Sequence, residues 1–178
     1  VSLAEVEAVA MTASLVGYDT AQSDGVFTFG GTGTVLYGAK IGLEKAVPDV
    51  RKKGIGAPAV IVCSDRAHYA CRTVANWLGI GEDNVVQVPT TDDNQMRTAE
   101  LLPTLRRICH SGRRIACIVA TMGTTDAFGL DDLAAIVKVR DELVSEVGLD
   151  YVPHVHADAV IGWAWSVFND YDFNANPL

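Results

Sequence analysis

Three things are scarce in this sequence of 178 residues: basic charge, long apolar runs and paired cysteines. Lysine and arginine number 14 against 22 acidic residues, the formal net charge is −8, and no basic block occurs anywhere. Nucleic acid and anionic membrane surfaces both demand a positive footprint, so neither is an expected partner. The longest apolar runs, Ile115–Ala120 and Ala57–Cys63, fall far short of the ~20 residues that span a bilayer. The N-terminus also lacks the basic region of a signal peptide. The expectation is a soluble chain with no membrane partner. Cys63, Cys71, Cys109 and Cys117 form no Cys-x-x-Cys pair. They read as buried, reduced thiols of a cytoplasmic protein, not as a disulfide frame or a metal site.

What is present is a core. Nearly half of the residues are apolar, enough for one domain over residues 1–178. No internal repeat, low-complexity tract or linker interrupts it. Helical spacing runs from Ser2 to Val16, with Gly17 as a stop. Val26–Phe29 reads as a short strand, Thr32–Val47 as a helix closed by Pro48, and Ala59–Cys63 as a β-branched strand. A helix over Ala67–Leu78, a strand over Val85–Val88 and a helix over Thr98–Cys109 follow. Ile115–Thr121 is a continuous apolar run, the mark of a strand buried on both faces. A helix N-terminus at Asp131-Asp132 leads into Leu133–Val147, and Tyr151–His156 is the last strand. Strands alternating with helices imply an α/β fold: a mostly parallel sheet with helices on both faces.

In such sheets ligands gather at the carboxyl ends of the strands. Four groups stand there: Gly30-Gly31-Thr32, His68, Gly123-Thr124-Thr125, and His156 with Asp158. A glycine turn opening a helix offers free backbone N–H groups and a Thr hydroxyl to a phosphate, or it is simply a tight turn. It fits neither the nucleoside-triphosphate pattern, because Lys40 comes too late, nor Gly-x-Gly-x-x-Gly. Asp158 either caps a turn or presents a fixed negative charge to a cationic ring nitrogen. His68 is either a surface residue or a ring laid on a planar ligand. Thr125 would ordinarily be a turn residue. A phosphate on a helix N-terminus, a stacked aromatic face and a carboxylate at a ring nitrogen together describe what pyridoxal 5′-phosphate needs.

The stretches "GVFTFGGTGTVL", "DRAHYACRTVANWLGIG", "VATMGTTDAFGLDDLAAI" and "PHVHADAVIGWAW" resemble, in order, the motifs of the group II pyridoxal-phosphate-dependent amino-acid decarboxylases. The resemblance covers the chain from about Asp24 onward. It implies the aspartate-aminotransferase type I fold, here its central large-domain part, and a homo-oligomer with sites at the subunit interface. It further implies that Gly31 and Thr32 hold the cofactor phosphate, His68 stacks on the pyridine ring and Thr125 supports the ring substituents. Asp158 would pair with the ring nitrogen, and Val160 would pack near the ring. The small-molecule substrate would be an amino acid, which this sequence does not specify.

The sequence also departs from that family. A small residue usually stands where Phe29 is and an acidic one where Gly33 is, and Ile161-Gly162-Trp163 replaces an aromatic followed by two small residues. The resemblance implies a Schiff-base lysine beyond the aspartate, in an Asn-Pro-His-Lys-like motif. The last lysine here is Lys138, within the helix before the final strand, and the sequence runs to Leu178. The expectation is a cofactor-binding segment that is not catalytic by itself. The competing expectation is a non-catalytic scaffold serving as an oligomeric interaction module.

Overall fold

The computed structural model describes residues 3–168, 170–172 and 174–175. Its centre is a sheet of four parallel strands: β1 (Ala59–Ser64), β2 (Val85–Val88), β3 (Arg114–Thr121) and β4 (His154–Asp158), in the spatial order β2-β1-β3-β4. β1 is buried along its whole length and β3 over all but its first residue, as their unbroken apolar runs require of strands covered on both sides.

Helices α1 (Leu3–Leu15), α2 (Gly31–Ala46), α3 (Val50–Lys53), α4 (Ala70–Trp77), α5 (Thr98–His110) and α6 (Leu133–Val147) surround the sheet. Val35, Ala39 and Leu43 of α2 pack with Val74 of α4 against Ile61 and Val119 on one face. Leu101, Leu105 and Ile108 of α5 and Ile136 and Leu143 of α6 pack against Val62 and Ile118 on the other. The apolar positions of α5 and α6 recur three and four residues apart, which lays them along one side of each helix. α2 comes unusually close to the sheet. A methyl at Gly42 would collide with the carbonyl of Ala116 on β3, so only glycine allows this helix to lie where it does.

Three sequence expectations need correction. Val26–Phe29 is not a strand; the segment is irregular, Phe27 and Phe29 are exposed, and the Phe27 N–H donates to the Glu5 carboxylate at 3.0 Å instead of to a neighbouring strand. β-Rich composition without a partner strand makes no sheet. The helix expected from Ala67 begins at Ala70, so His68 lies on the turn leading into α4 and not in its first turn. The final strand is also shifted towards the C-terminus, covering His154–Asp158. No helix among the described residues is long and apolar enough to cross a membrane.

Candidate cofactor site

β1 is followed by a crossover to β2 on one side, while β3 lies on its other side. This change of direction opens a crevice at the carboxyl ends of the central strands. A cavity of about 120 Å³ occupies it. Behind it the Ser64 and Thr121 hydroxyls, at the ends of β1 and β3, meet at 3.4 Å. The structure brings Gly31, Thr32, His68, Thr125, Asp158 and Val160 around this one cavity, from four separate stretches of chain.

Gly31 and Thr32 open α2. The first N–H groups bonded back to Gly30 are those of Gly33 and Thr34, at 2.9 and 3.3 Å, so the amides of Gly31 and Thr32 lie ahead of the helical ladder. No acidic side chain occupies that first turn, and the positive end of the helix is left for an anion from elsewhere. Gly31 is also pressed against Val160: a Cβ there would lie 2.6 Å from a Val160 methyl. Phe29 points elsewhere. Its ring is exposed and tilted towards Trp77, with centroids 6.4 Å apart, and it does not line the cavity. Gly33 packs against Thr28, where an added Cβ would lie at 2.7 Å, which leaves no room for the acidic side chain usual in the resembling family.

His68 stands across the cavity. Its Nδ1 accepts the Ala70 N–H at 3.1 Å, so Nε2 carries the proton and the ring is fixed by the start of α4. Tyr69 stacks obliquely on the same imidazole, centroids 4.1 Å apart.

Asp158 ends β4 and is 4% exposed, yet its Oδ1 has no hydrogen-bond partner among the described residues. Burial pushes its carboxyl above the usual carboxylate range; the Val160 N–H and the nearby His68 ring oppose that. Of the two sequence readings of Asp158, the nearby Val160 N–H favours the ionised carboxyl as a turn contact would, yet Oδ1 has no partner among the described residues. A cation placed beside Oδ1 would favour the ionised form that burial disfavours.

Sequence reasoning placed Thr124 at the strand ends but gave a role to Thr125 alone. Thr124 is 3% exposed, lines the cavity, and its Oγ1 also lacks a partner among the described residues. Thr125, singled out from the same motif, is exposed and sits at the rim. Both threonines ride on the 121–131 loop. Met122 bridges to Leu130 across it, and the Gly123 N–H donates to Gly129 at 2.9 Å. The Met122 N–H donates to the Asp158 carbonyl at 2.9 Å, joining the loop to β4.

Two orphaned buried oxygens, a free helix N-terminus and a fixed imidazole suit a ligand with an anionic group, a planar ring and a polar ring atom. No lysine lines the cavity, and Lys138 lies within α6.

Comparison with known proteins identifies the family and fold. Residues 2–168 match the family model described as the pyridoxal-dependent decarboxylase conserved domain. The L-2,4-diaminobutyrate decarboxylase of Acinetobacter baumannii is 31% identical over 185 aligned residues, covering 96% of this chain and 34% of that protein. The acidic amino acid decarboxylase GADL1 of Xenopus tropicalis is 36% identical over 122, covering 66% of this chain and 24% of its own length. The chain therefore spans about a third or less of the curated relatives it matches. Among solved structures, mouse CSAD superposes with a TM-score of 0.84 at 26% identity, over 98% of this chain and 35% of that one. The glutamate decarboxylase domain from Vibrio parahaemolyticus gives 0.78 at 25%, over 93% and 36%. The four-stranded parallel sheet with its helices is thus part of the aspartate-aminotransferase-like fold of these enzymes.

Proposed function

Because this chain belongs to the pyridoxal-dependent decarboxylase family, we propose that its cavity is the cofactor cradle of an amino-acid decarboxylase. Pyridoxal 5′-phosphate is the cofactor of that family. When bound, it supplies an electron sink for the pair left behind when a carboxylate departs as carbon dioxide. The chain's own residues supply the rest. The Gly31 and Thr32 amides hold the phosphate at the positive end of α2. The His68 ring would stack on the pyridine and Val160 would pack near it, excluding water. Thr125 supports the ring substituents from the rim. Asp158 keeps the proton on the ring nitrogen, which is what makes the ring a good acceptor of electrons. The substrate is an amino acid, the class named in the relatives' descriptions.

The observation that carries this reading is the Asp158 Oδ1, buried and without a partner among the described residues at the carboxyl edge of the sheet. A stranded carboxylate oxygen costs stability unless a ligand meets it. No lysine lines this cavity, so the cradle binds the cofactor non-covalently and this segment does not turn over substrate by itself. We also infer that it self-associates in the cytoplasm. Phe27, Phe29, Trp77, Trp163 and Trp165 are large apolar side chains left exposed, and a second copy would cover such a surface.

The test is a titration of the purified chain with pyridoxal phosphate, followed by absorbance, with light scattering on the same sample. Saturable binding by an oligomer, weakened about tenfold to a hundredfold in Asp158→Asn for the loss of a charge-assisted contact, is expected. Absence of binding by a folded chain would leave only the family's scaffold and give the lead to the interaction-module reading.

A further inference from the structure

Asp131 is the other buried carboxylate of this region, 4% exposed, and it does not line the cavity. It belongs to none of the described ion pairs. Its two oxygens serve two different stretches of chain. Oδ1 accepts the Met96 N–H at 2.7 Å, from the connection between β2 and α5, and Oδ2 accepts the Thr121 N–H at 2.7 Å, from the last residue of β3. Its own N–H donates to the Thr121 carbonyl at 2.8 Å, so residue 131 holds residue 121 from both sides.

That grip closes the base of the loop carrying Thr124 and Thr125. The far side of the loop is braced by the same β2–α5 connection: Asn94 Nδ2 donates to the Ala127 carbonyl at 3.0 Å and Gln95 Nε2 to the Leu130 carbonyl at 2.8 Å. Thr121 is also the register partner of Asp158. Fixing Thr121 therefore fixes both the point where the chain turns towards Thr124 and the strand end that presents Asp158. A carboxylate buried without a cation is an expensive way to join two amides, and a local turn would not need it. Burial does raise its carboxyl above the usual range, with the two amides opposing.

We propose that Asp131 is a positioning residue for the cofactor cavity, tying the 121–131 loop to the β2–α5 connection so that Thr124 and Asp158 face one ligand together. The inference rests on the reading of the cavity given above. The neighbouring Asp132 is the natural control. It caps α6, with Oδ1 accepting the Ala135 N–H at 2.9 Å, and does nothing for the loop.

The experiment compares wild type, Asp131→Asn and Asp132→Ala by pyridoxal-phosphate titration and by amide hydrogen exchange of the ligand-free chains. In Asp131→Asn the carboxamide NH₂ must face one of the two backbone N–H groups, so one bond is lost and replaced by a repulsion. The expected result is about tenfold weaker binding, with faster exchange confined to Met96 and residues 121–130. Asp132→Ala should lower stability without changing the affinity. Binding within about twofold of wild type in Asp131→Asn would overturn the proposal, as would affinity losses that track stability in both variants. If wild type itself does not bind, the proposed function fails, and the exchange data still decide Asp131: unchanged exchange over 121–130 overturns the tie. Should Asp131→Asn not fold, wild type alone suffices. The tie requires the Met96 and Thr121 amides to exchange more slowly than those of residues 125–127, and equal rates would refute it.

Discussion

Acid should destabilise this protein chiefly through the His156 imidazole, with His154, whose pKa burial also lowers, acting in the same direction. His156, on β4, packs against Gly38 of α2, where an added Cβ would lie 2.5 Å from Nδ1, and its Nε2 is buried without a partner among the described residues. Burial, helped by the neighbouring His154, lowers its pKa from 6.5 to about 4. Below 6.5 the unfolded chain therefore binds a proton that the folded chain refuses. The sign follows: the unfolded state holds more protons between pH 6.5 and 4, so stability rises with pH across that window and is lost as pH falls through it. The whole window corresponds to about 3 kcal/mol, and a step from about pH 7 to about pH 5 costs roughly 2 kcal/mol of it. Asp131 and Asp158, whose carboxyls burial raises, act with the opposite sign, because the folded state takes up their protons more readily. The measurement must therefore be differential. Urea unfolding of wild type and His156→Gln at both pH values isolates the His156 contribution. Wild type should lose roughly 2 kcal/mol more than the variant between the two. Equal losses would refute the reasoning, whatever the absolute stabilities.

Two further variants test packing and site polarity. Gly42→Ala gains about 1 kcal/mol of helix propensity but drives a methyl into the Ala116 carbonyl, so a net loss of about 1–3 kcal/mol in urea unfolding is expected, and a more stable variant would contradict the close approach of α2. Thr124→Val removes a buried hydroxyl that has no described partner; the ligand-free chain should be unchanged or about 1 kcal/mol more stable while pyridoxal-phosphate affinity falls. A marked loss of stability would mean that the hydroxyl already serves the fold.

The central strands and α6 were legible because their signals are local. β2 and α6 fall where the sequence pattern puts them, and so does the C-terminal end of β3, whose continuous β-branched run buried on both faces has few other uses. Val26–Phe29 misled because strand formation depends on a partner that a local reading does not see. The cavity was foreseeable for the same reason as the sheet: in parallel α/β folds the residues just past the strands converge. What stayed hidden was direction. Sequence offers Thr124 and Thr125, or Asp131 and Asp132, as near equivalents. In the structure Thr124 is buried in the cavity and Thr125 sits at its rim, while Asp132 caps a helix and Asp131 holds two backbone segments. Neighbouring residues on a loop face different ways, and only the folded path of the chain separates them.

The walls of the cavity come from almost the whole length of the chain, with Gly31 against Val160 near its two ends and His68 and Thr124 between. A form lacking β4 or the start of α2 would lose Asp158 or Gly31 and with it a wall of the cavity. A ligand seated there would thus bind the finished fold alone, and at about a hundred times its dissociation constant it would add roughly 2.7 kcal/mol to stability. Occupancy would act as a latch on the folded state.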